Sequence, residues 1–429
     1  MEYTVPKDGG LPKKQGALVR PASPVSDFSP KRLRSEILLV LIFLTTTLAI
    51  IVFCSRASAS PVPIVRIMVD REKQSMRVDG FDLLVNEAST NRKLAHESKR
   101  AWLQIQCSLG GRMDVKTSGG DRMRASGPLH VTSLGGFIRV GTSQYRDDLY
   151  IYSFNGDCIA VNHVDLEKYI AGLLNSEMSA KWSIQALMAQ AIAARTYAIY
   201  QMKESSTPHY RGLKPPFDLD SSVKDQVYEG ANMERYKAIQ AVQQTHGMVL
   251  TFDGKPIKAF YHSTCGGHTE TPDRVWGMRL PYLHSVQCDF CQKSPRFNWV
   301  YSIRDSDLER KLRAEGLLRG TLLGLRVVDR NILGRANRVE VLGSEAKLVV
   351  AATRIRDIMG TVNLRSTDFT VARNPAGGPN GGNFVFVGHG SGHGVGMCQW
   401  GAKTMSERGR KYTEILSYYY PAARITKLY

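Results

Sequence analysis

Ile37 to Phe53 reads ILLVLIFLTTTLAIIVF, seventeen residues without a charge, preceded by Lys31, Arg32 and Arg34. At 1.5 Å per residue such a helix is roughly 26 Å long, just enough for a bilayer core if its flanks contribute. The basic cluster in front keeps the N-terminus inside and sends everything after the span outside. A cleaved signal peptide is the alternative, since Ala57-Ser58-Ala59 offers a small-residue cleavage site. Phe53 before Cys54 fits poorly with a lipoprotein site. Either way the working part is expected outside the cytoplasm. Residues 1–36 carry Pro6, Pro12, Pro21, Pro24 and Pro30 among scattered cations, with no apolar period, and read as a disordered cytoplasmic tail.

The remaining length, within a chain of 429 residues that is 43% hydrophobic, suffices for one or more sizeable cores. Seven cysteines exclude a disulfide-dense miniature scaffold. Subtracting 39 acidic from 57 basic residues leaves +18. That surplus favours anionic wall components or lipid headgroups; no aromatic–basic motif supports a nucleic-acid partner, and export argues against one.

The class expected is α+β. Short β-like runs (IVRIMV, FDLLV, LHVTSL, FIRVG, LYIYSFNG) separated by glycine pairs make residues 60–158 a β-rich part. A mixed helix and strand core follows over 159–429, with an α/β insertion at about 299–372 and a helix near Asp305 to Arg313. Asp165 is placed to cap a first helix, and Ser179 or Ser183 a second, in which Ile184, Leu187, Ala191, Ala194 and Ala198 form an apolar face. The turn between them is Asn175-Ser176-Glu177-Met178. A third helix is expected at about Ala231 to Thr245, then the strand MVLTF, the turn Asp253-Gly254 and the strand IKAFYHS. Pro208–Gly230 and Pro375–Gly382 read as loops.

Three blocks, taken in order, resemble the stage II sporulation protein D / amidase enhancer (SpoIID/LytB domain) family. They are DLEKYIAGLLNSEMSAKWSIQALMAQAIAARTYAIY (Asp165–Tyr200), FYHSTCGGHTETPDRVWG (Phe260–Gly277) and GHGVGMCQWGA (Gly392–Ala402), with Tyr420-Pro421 near the end. The resemblance implies an exported, often membrane-anchored lytic transglycosylase that cuts the MurNAc–GlcNAc bond of peptidoglycan glycan strands. It also implies a preference for strands whose stem peptides an amidase has removed. A non-catalytic, wall-binding activator of a peptidoglycan amidase is the alternative.

Glu177 of the Ser-Glu-Met turn is the expected acid. Met178 and Trp182 offer apolar surface that would keep its carboxyl protonated, and the resemblance assigns the same residue. The plainer reading is a helix-start carboxylate on backbone amides. Gln190, Arg195 and Tyr197 on the second helix are candidates for sugar or muramic carboxylate contacts, or for helix packing. Tyr261, His262, Ser263 and Gly267 in the second block, and His393 and Gln399 in the third, are the remaining candidates for substrate contact. The glycine-rich third block lacks the Lys-Ser/Thr of a phosphate loop and is not read as a nucleotide site.

Cys288 and Cys291 form C-x-x-C, with Cys265 upstream. Together with His268 they make a Cys₃His set for a structural zinc ion, with a disulfide as rival. Some sporulation members carry a Cys/His zinc cluster just before a Gln-x-Tyr-x-Gly motif. This chain keeps Gln226, Tyr228 and Gly230 without that cluster, so the site does not transfer. No organic cofactor is expected.

Overall fold

The computed structural model describes residues 61–204, 216–375 and 382–429. The expected anchor Ile37–Phe53, the tail before it, the alternative cleavage site Ala57–Ala59, the start of the Pro208–Gly230 loop and most of the Pro375–Gly382 loop lie outside them. Among the described residues no helix is long and apolar enough to cross a membrane.

The structure is α+β. Its first half is one large sheet built from β1 (Ile64–Lys73), β2 (Ser75–Glu87), β3 (Arg92–Cys107), β4 (Met113–Thr117), β5 (Arg122–Ala125), β6 (Leu129–Ser133), β7 (Ile138–Val140), β8 (Ser143–Tyr145), β9 (Asp148–Phe154), β10 (Asp157–Asp165) and β11 (Leu219–Asp220). The order is β11-β1-β10-β9-β6-β2-β3-β4-β5, with β7 on β2 and β8 on β7. Alternation drives it: Val65 and Ile67, Leu103 and Ile105, and Leu149 and Ile151 all turn inward and are fully buried. The long strand β3 escapes a reading of apolar runs because its first half, RKLAHESKR, is largely charged and faces solvent. The β-rich part also does not stop at Cys158. β10 continues to Asp165, and β11, from beyond the second helix, joins β1 in parallel.

Asp165 ends β10 and caps α1 (Leu166–Glu177), its Oδ1 accepting from the Glu167 and Lys168 amides at 2.8 and 3.2 Å. α2 (Ile184–Glu204) begins where Ser183 Oγ accepts from the Gln185 amide. More than one face of α2 is apolar: every residue from Ala186 to Ile199 is buried. A helix buried all round is a central element, and its alanines let neighbours approach closely. It packs against α1, α3 (Tyr236–Gln244), β12 (Met248–Phe252), α7 (Gln399–Glu407) and α8 (Tyr412–Tyr419). The third helix is shorter than expected because Ala231–Met233 forms a separate 3₁₀ turn. The turn Asp253-Gly254 is present, both residues at positive φ. Of IKAFYHS only β14 (Tyr261–His262) is strand; Lys255–Pro256 is β13.

The insertion folds around its own core of Trp299, Leu308, Val339, Ile355, Phe369 and Phe386. It comprises β15 (Asn298–Arg304), α5 (Asp305–Ala314), β16 (Leu322–Arg330), β17 (Ala336–Gly343), β18 (Lys347–Ala351), α6 (Ala352–Met359), β19 (Phe369–Asn374) and β20 (Asn383–His389). It therefore runs past residue 372, because β20 pairs with both β15 and β19. The short helix α4 (Pro272–Trp276) precedes it. β21 (Met397–Cys398) and β22 (Arg424–Lys427) return the chain to the main core.

Arg335, 4% exposed, ties the insertion to that core: it donates to the Cys265 carbonyl and pairs with buried Glu270, which also accepts from Asn331 Nδ2 at 2.6 Å.

A disulfide joins Cys107 on β3 to Cys158 on β10 across a separation of 51 residues. Closing a loop of that length in the unfolded chain is worth about 4 kcal/mol in the chain-entropy account. The C107S/C158S variant should therefore unfold at a clearly lower urea concentration, with a steeper urea dependence as the freed unfolded chain exposes more surface. An unchanged midpoint would show that the bond adds nothing to stability.

Candidate active site

Glu177 is the last residue of α1, not a helix-start residue. Its carboxyl thus sits at the negative end of the helix dipole, where ionisation is disfavoured. Buried Met178 follows it, and the wall of a cleft of about 480 Å³ is built around it. One oxygen accepts from the Val227 amide at 2.9 Å and the other from Gln399 Nε2 at 3.3 Å. The Tyr261 hydroxyl is a third partner. Burial raises the pKa of the carboxyl above its ordinary value of 4.5, and these three bonds pull it down without cancelling the rise.

The partners are themselves held. Gln226, fully buried, donates to Tyr261 Oη at 2.9 Å and accepts from Tyr169 Oη at 3.0 Å. Tyr228 donates to Asn162 Oδ1 at 3.1 Å. Gly230 adopts φ 73°, and a Cβ there would lie 2.1 Å from the Gln144 carbonyl oxygen. The Gln-x-Tyr-x-Gly motif thus braces the segment that presents the Val227 amide.

Two blocks far apart in sequence meet in β14 and β21, which run parallel with Tyr261 opposite Met397 and His262 opposite Cys398. His262 Nδ1 bonds the Val395 carbonyl at 3.1 Å, while its buried Nε2 has no protein partner. Burial lowers its pKa to about 4, so the ring is neutral at physiological pH. His393 lies with its ring centroid 5.5 Å from that of His262; its Nδ1 accepts from the Val395 amide, and burial holds it neutral too. Ser263 completes this wall.

The cleft therefore gathers Glu177, Tyr261, His262, Ser263, His393 and Gln399. Four expected contacts do not line it. Gln190 is fully buried in α2, both side-chain polar atoms without a protein partner. Arg195, also fully buried, grips Glu167 with Nε and Nη2 at 2.8 and 2.6 Å and the Met248 carbonyl with Nη1 at 3.0 Å. Burial alone would raise the Glu167 carboxyl, but Arg195, Tyr429 and the Gly247 amide outweigh it and hold it below its ordinary value. Tyr197 donates to Asp225 Oδ1 at 3.0 Å. Gly267, at φ 122°, accepts from the Cys288 amide at 2.7 Å and shapes the cysteine loop. A helix stripe looks the same from the sequence whether it meets a ligand or the rest of the protein; here Arg195 meets α1 and β12, and Tyr197 meets Asp225.

Sequence reasoning passed over Trp400, the neighbour of Gln399. With Trp182 it forms an edge-to-face pair, centroids 5.2 Å apart, on the cleft wall, with Lys403 over both rings. The aromatic after Gln399 was the available signal. Asp225 also lines the cleft, but it accepts from Tyr197, from Gln201 Nε2 at 3.2 Å and from the Asp220 amide at 2.9 Å.

Behind the wall, Cys265, Cys288, Cys291 and Cys398 are buried with their sulfurs all within 4.8 Å of one another, a group able to hold a metal ion. The fourth member is Cys398, 133 residues after Cys265, and not His268, which is exposed. His268 pairs by backbone with Gln287, which turns its side chain outward while the fold delivers Cys398 through β21. Cys398 Sγ accepts from the Cys265 and Gly401 amides at 3.3 and 3.4 Å, and Cys288 Sγ lies 3.2 Å from Tyr419 Oη. At Gly401 a Cβ would come within 1.9 Å of Tyr419 Oη and 2.9 Å of Cys288 Sγ, so no side chain fits.

A family model described as Stage II sporulation protein (SpoIID) matches residues 154–252, and one for a domain of unknown function (DUF8618) matches residues 281–396. An uncharacterized protein of Brachyspira hyodysenteriae is 32% identical over 285 residues, covering 66% of this chain and 73% of that protein. Stage II sporulation protein D of Bacillus subtilis is 31% identical over 282 residues, covering 62% and 76%. The amidase enhancer of the same organism is 27% identical over 305 residues, covering 60% of this chain and 40% of the relative.

If Arg195 serves packing, removing its charge strands Glu167. Arg195→Met should lower the unfolding free energy by roughly 3–5 kcal/mol, read by urea denaturation. A stable variant with weakened substrate binding would return Arg195 to the list of ligand contacts.

Proposed function

Because the chain belongs to the stage II sporulation protein D family, we propose that it is a lytic transglycosylase acting on the MurNAc–GlcNAc bond of peptidoglycan glycan strands. The observation that carries this reading is Glu177: one carboxyl, its pKa raised by burial, hydrogen-bonded on both oxygens and open to a cleft. A glycoside hydrolase normally needs a pair of carboxyl groups; among the described residues Asp225 is the one other carboxyl lining the cleft, and like Glu177 it is held by three protein donors. A transglycosylase works with one. The protonated Glu177 gives its proton to the glycosidic oxygen as the C1–O bond breaks. The 6-hydroxyl of the same muramyl unit then bonds C1, closing a 1,6-anhydro ring, and its proton returns to Glu177. The nucleophile is tethered, so no second carboxylate has to activate water.

The neutral His262, with Nε2 unsatisfied in the cleft wall, supplies a hydrogen-bonding group for a sugar hydroxyl. Trp182 and Trp400 supply apolar faces for a pyranose ring. Tyr261 and Gln399 position the acid. In keeping with the family, strands freed of stem peptides are the proposed substrate. The Cys107–Cys158 disulfide suits an oxidising compartment, and we place this part of the chain outside the cytoplasm, held by a single N-terminal membrane helix at Ile37–Phe53.

Glu177→Gln should abolish release of anhydro-muramyl ends from purified glycan strands, a loss of about 10²–10⁴-fold or more, with the fold intact by circular dichroism. Because the acid form is required, the wild-type rate should fall as pH rises through a pKa above 4.5. Products with reducing ends would mean a hydrolase. The relative named amidase enhancer keeps a second reading alive, a wall-binding activator of an amidase; amidase stimulation undiminished in Glu177→Gln, with no cleavage by either protein, would select it.

For the four-thiol cluster we propose a structural zinc ion. A tetrahedron with Zn–S near 2.3 Å separates its sulfurs by about 3.8 Å, and all four here lie within 4.8 Å, Cys265 and Cys291 at 3.4 Å. Amide donors on Cys398 Sγ suit a thiolate ligand. Elemental analysis should find one zinc per chain, lost in Cys398→Ser together with several degrees of thermal stability. A metal-free chain two mass units lighter per bridge would mean disulfides instead.

A further inference from the structure

The cleft does not end at the catalytic carboxyl. A further recess of about 350 Å³ continues from it, the two sharing Val223, Ser263, Arg296, Gly392 and His393 as common walls. The far wall carries Arg356 and Arg365, so three arginines line one recess that no Asp or Glu lines. None of the three forms an ion pair among the described residues. Arg356 is fixed in place: its Nε donates to the Leu364 carbonyl at 3.0 Å and its Nη2 to the Arg365 carbonyl at 3.1 Å, which leaves Nη1 for a ligand. Arg365 is pinned through its own carbonyl, which accepts from the Gly392 amide at 2.9 Å. Arg296 stands exposed at the junction of the two recesses. Elsewhere the insertion's arginines are mostly neutralised: Arg304 and Arg310 on Asp307, Arg326 on Glu340, Arg354 on Glu315, Arg373 on Asp305. Arg296, Arg356 and Arg365, without such partners, come together on the face that meets the cleft.

We propose that the segment matched as a domain of unknown function supplies the anion-reading wall of this cleft. In this reading Arg296, Arg356 and Arg365 bind the free lactyl carboxylate of a muramyl residue lying beyond Glu177. The inference rests on the glycan reading above and deepens it. A lactyl group bonded to a stem peptide is an uncharged amide; removing the peptide exposes a carboxylate, which a planar guanidinium accepts through paired N–H donors. The strand then lies with a neutral sugar on the Trp182–Trp400 side and a charged muramyl unit against the arginines, so the cleft has a direction.

The test titrates the full-length Glu177→Gln chain, which cannot consume its ligand, with peptide-free glycan strands. It is repeated with the same strands after their carboxylates have been converted to methylamides. The free-acid strands should bind at least about tenfold more tightly, as expected for a charge-assisted contact, and raised salt should erode the difference. Adding R296Q and R365Q should bring the two affinities toward equality with the unfolding midpoint unchanged. Arg356 is left in place because it holds two backbone carbonyls. R296Q alone, at an exposed position, should shift the ratio in the same direction. Equal affinities in the parent, or a preference untouched in R296Q/R365Q, would overturn the arginine wall and leave the glycan reading standing. Binding of neither strand would overturn both.

Discussion

Two segments of two residues each, Tyr261–His262 and Met397–Cys398, lie side by side as parallel strands, and the chemistry of the molecule hangs from that pairing. In front of it, Tyr261 and Gln399 reach the Glu177 carboxyl. Behind it, Cys398 meets Cys265 and the C-x-x-C thiols. So short a ladder cannot hold itself together by backbone bonds. The thiol cluster, the Arg335–Glu270 contact and the aromatic ends of α8 lock it from the back, so that the front can present polar groups in fixed positions.

The acid is built on the same logic. A carboxyl at the C-terminal end of a helix, beside Met178 on the cleft wall, is raised by burial, and the negative end of a helix dipole works in the same direction. The hydrogen bonds that fix its direction oppose the rise, so geometry and acidity are in competition, and burial prevails. Arg195 and Glu167 show the opposite balance inside the same core: there a guanidinium wins over desolvation and the carboxyl stays ionised. The two glutamates sit ten residues apart on one helix and are tuned in opposite directions by what faces them.

The insertion reads as more than an appendage. It has its own core, yet its loops supply part of the cleft and the clamp on the Cys265 loop. A segment placed this way can alter what the cleft accepts without touching the acid.

The sequence by itself determined the α+β class, the helix cap at Asp165, the strand at Met248–Phe252 and the helix at Asp305, because each depends on residues within a few positions of one another; the expected turn Asn175–Met178 is instead the last turn of α1. It also held the two glycine-rich blocks in plain view. Tertiary structure alone decided that Gln190, Arg195 and Tyr197 stand away from the cleft, since an interrupted alanine helix carries no mark of which surface it meets. Tertiary structure likewise replaced His268 with Cys398 and paired Cys107 with Cys158. Neighbours in space chosen by strand pairing across more than a hundred residues, or across a sheet, leave no local pattern, and a metal or disulfide partner is selected by distance in the fold and not by distance along the chain.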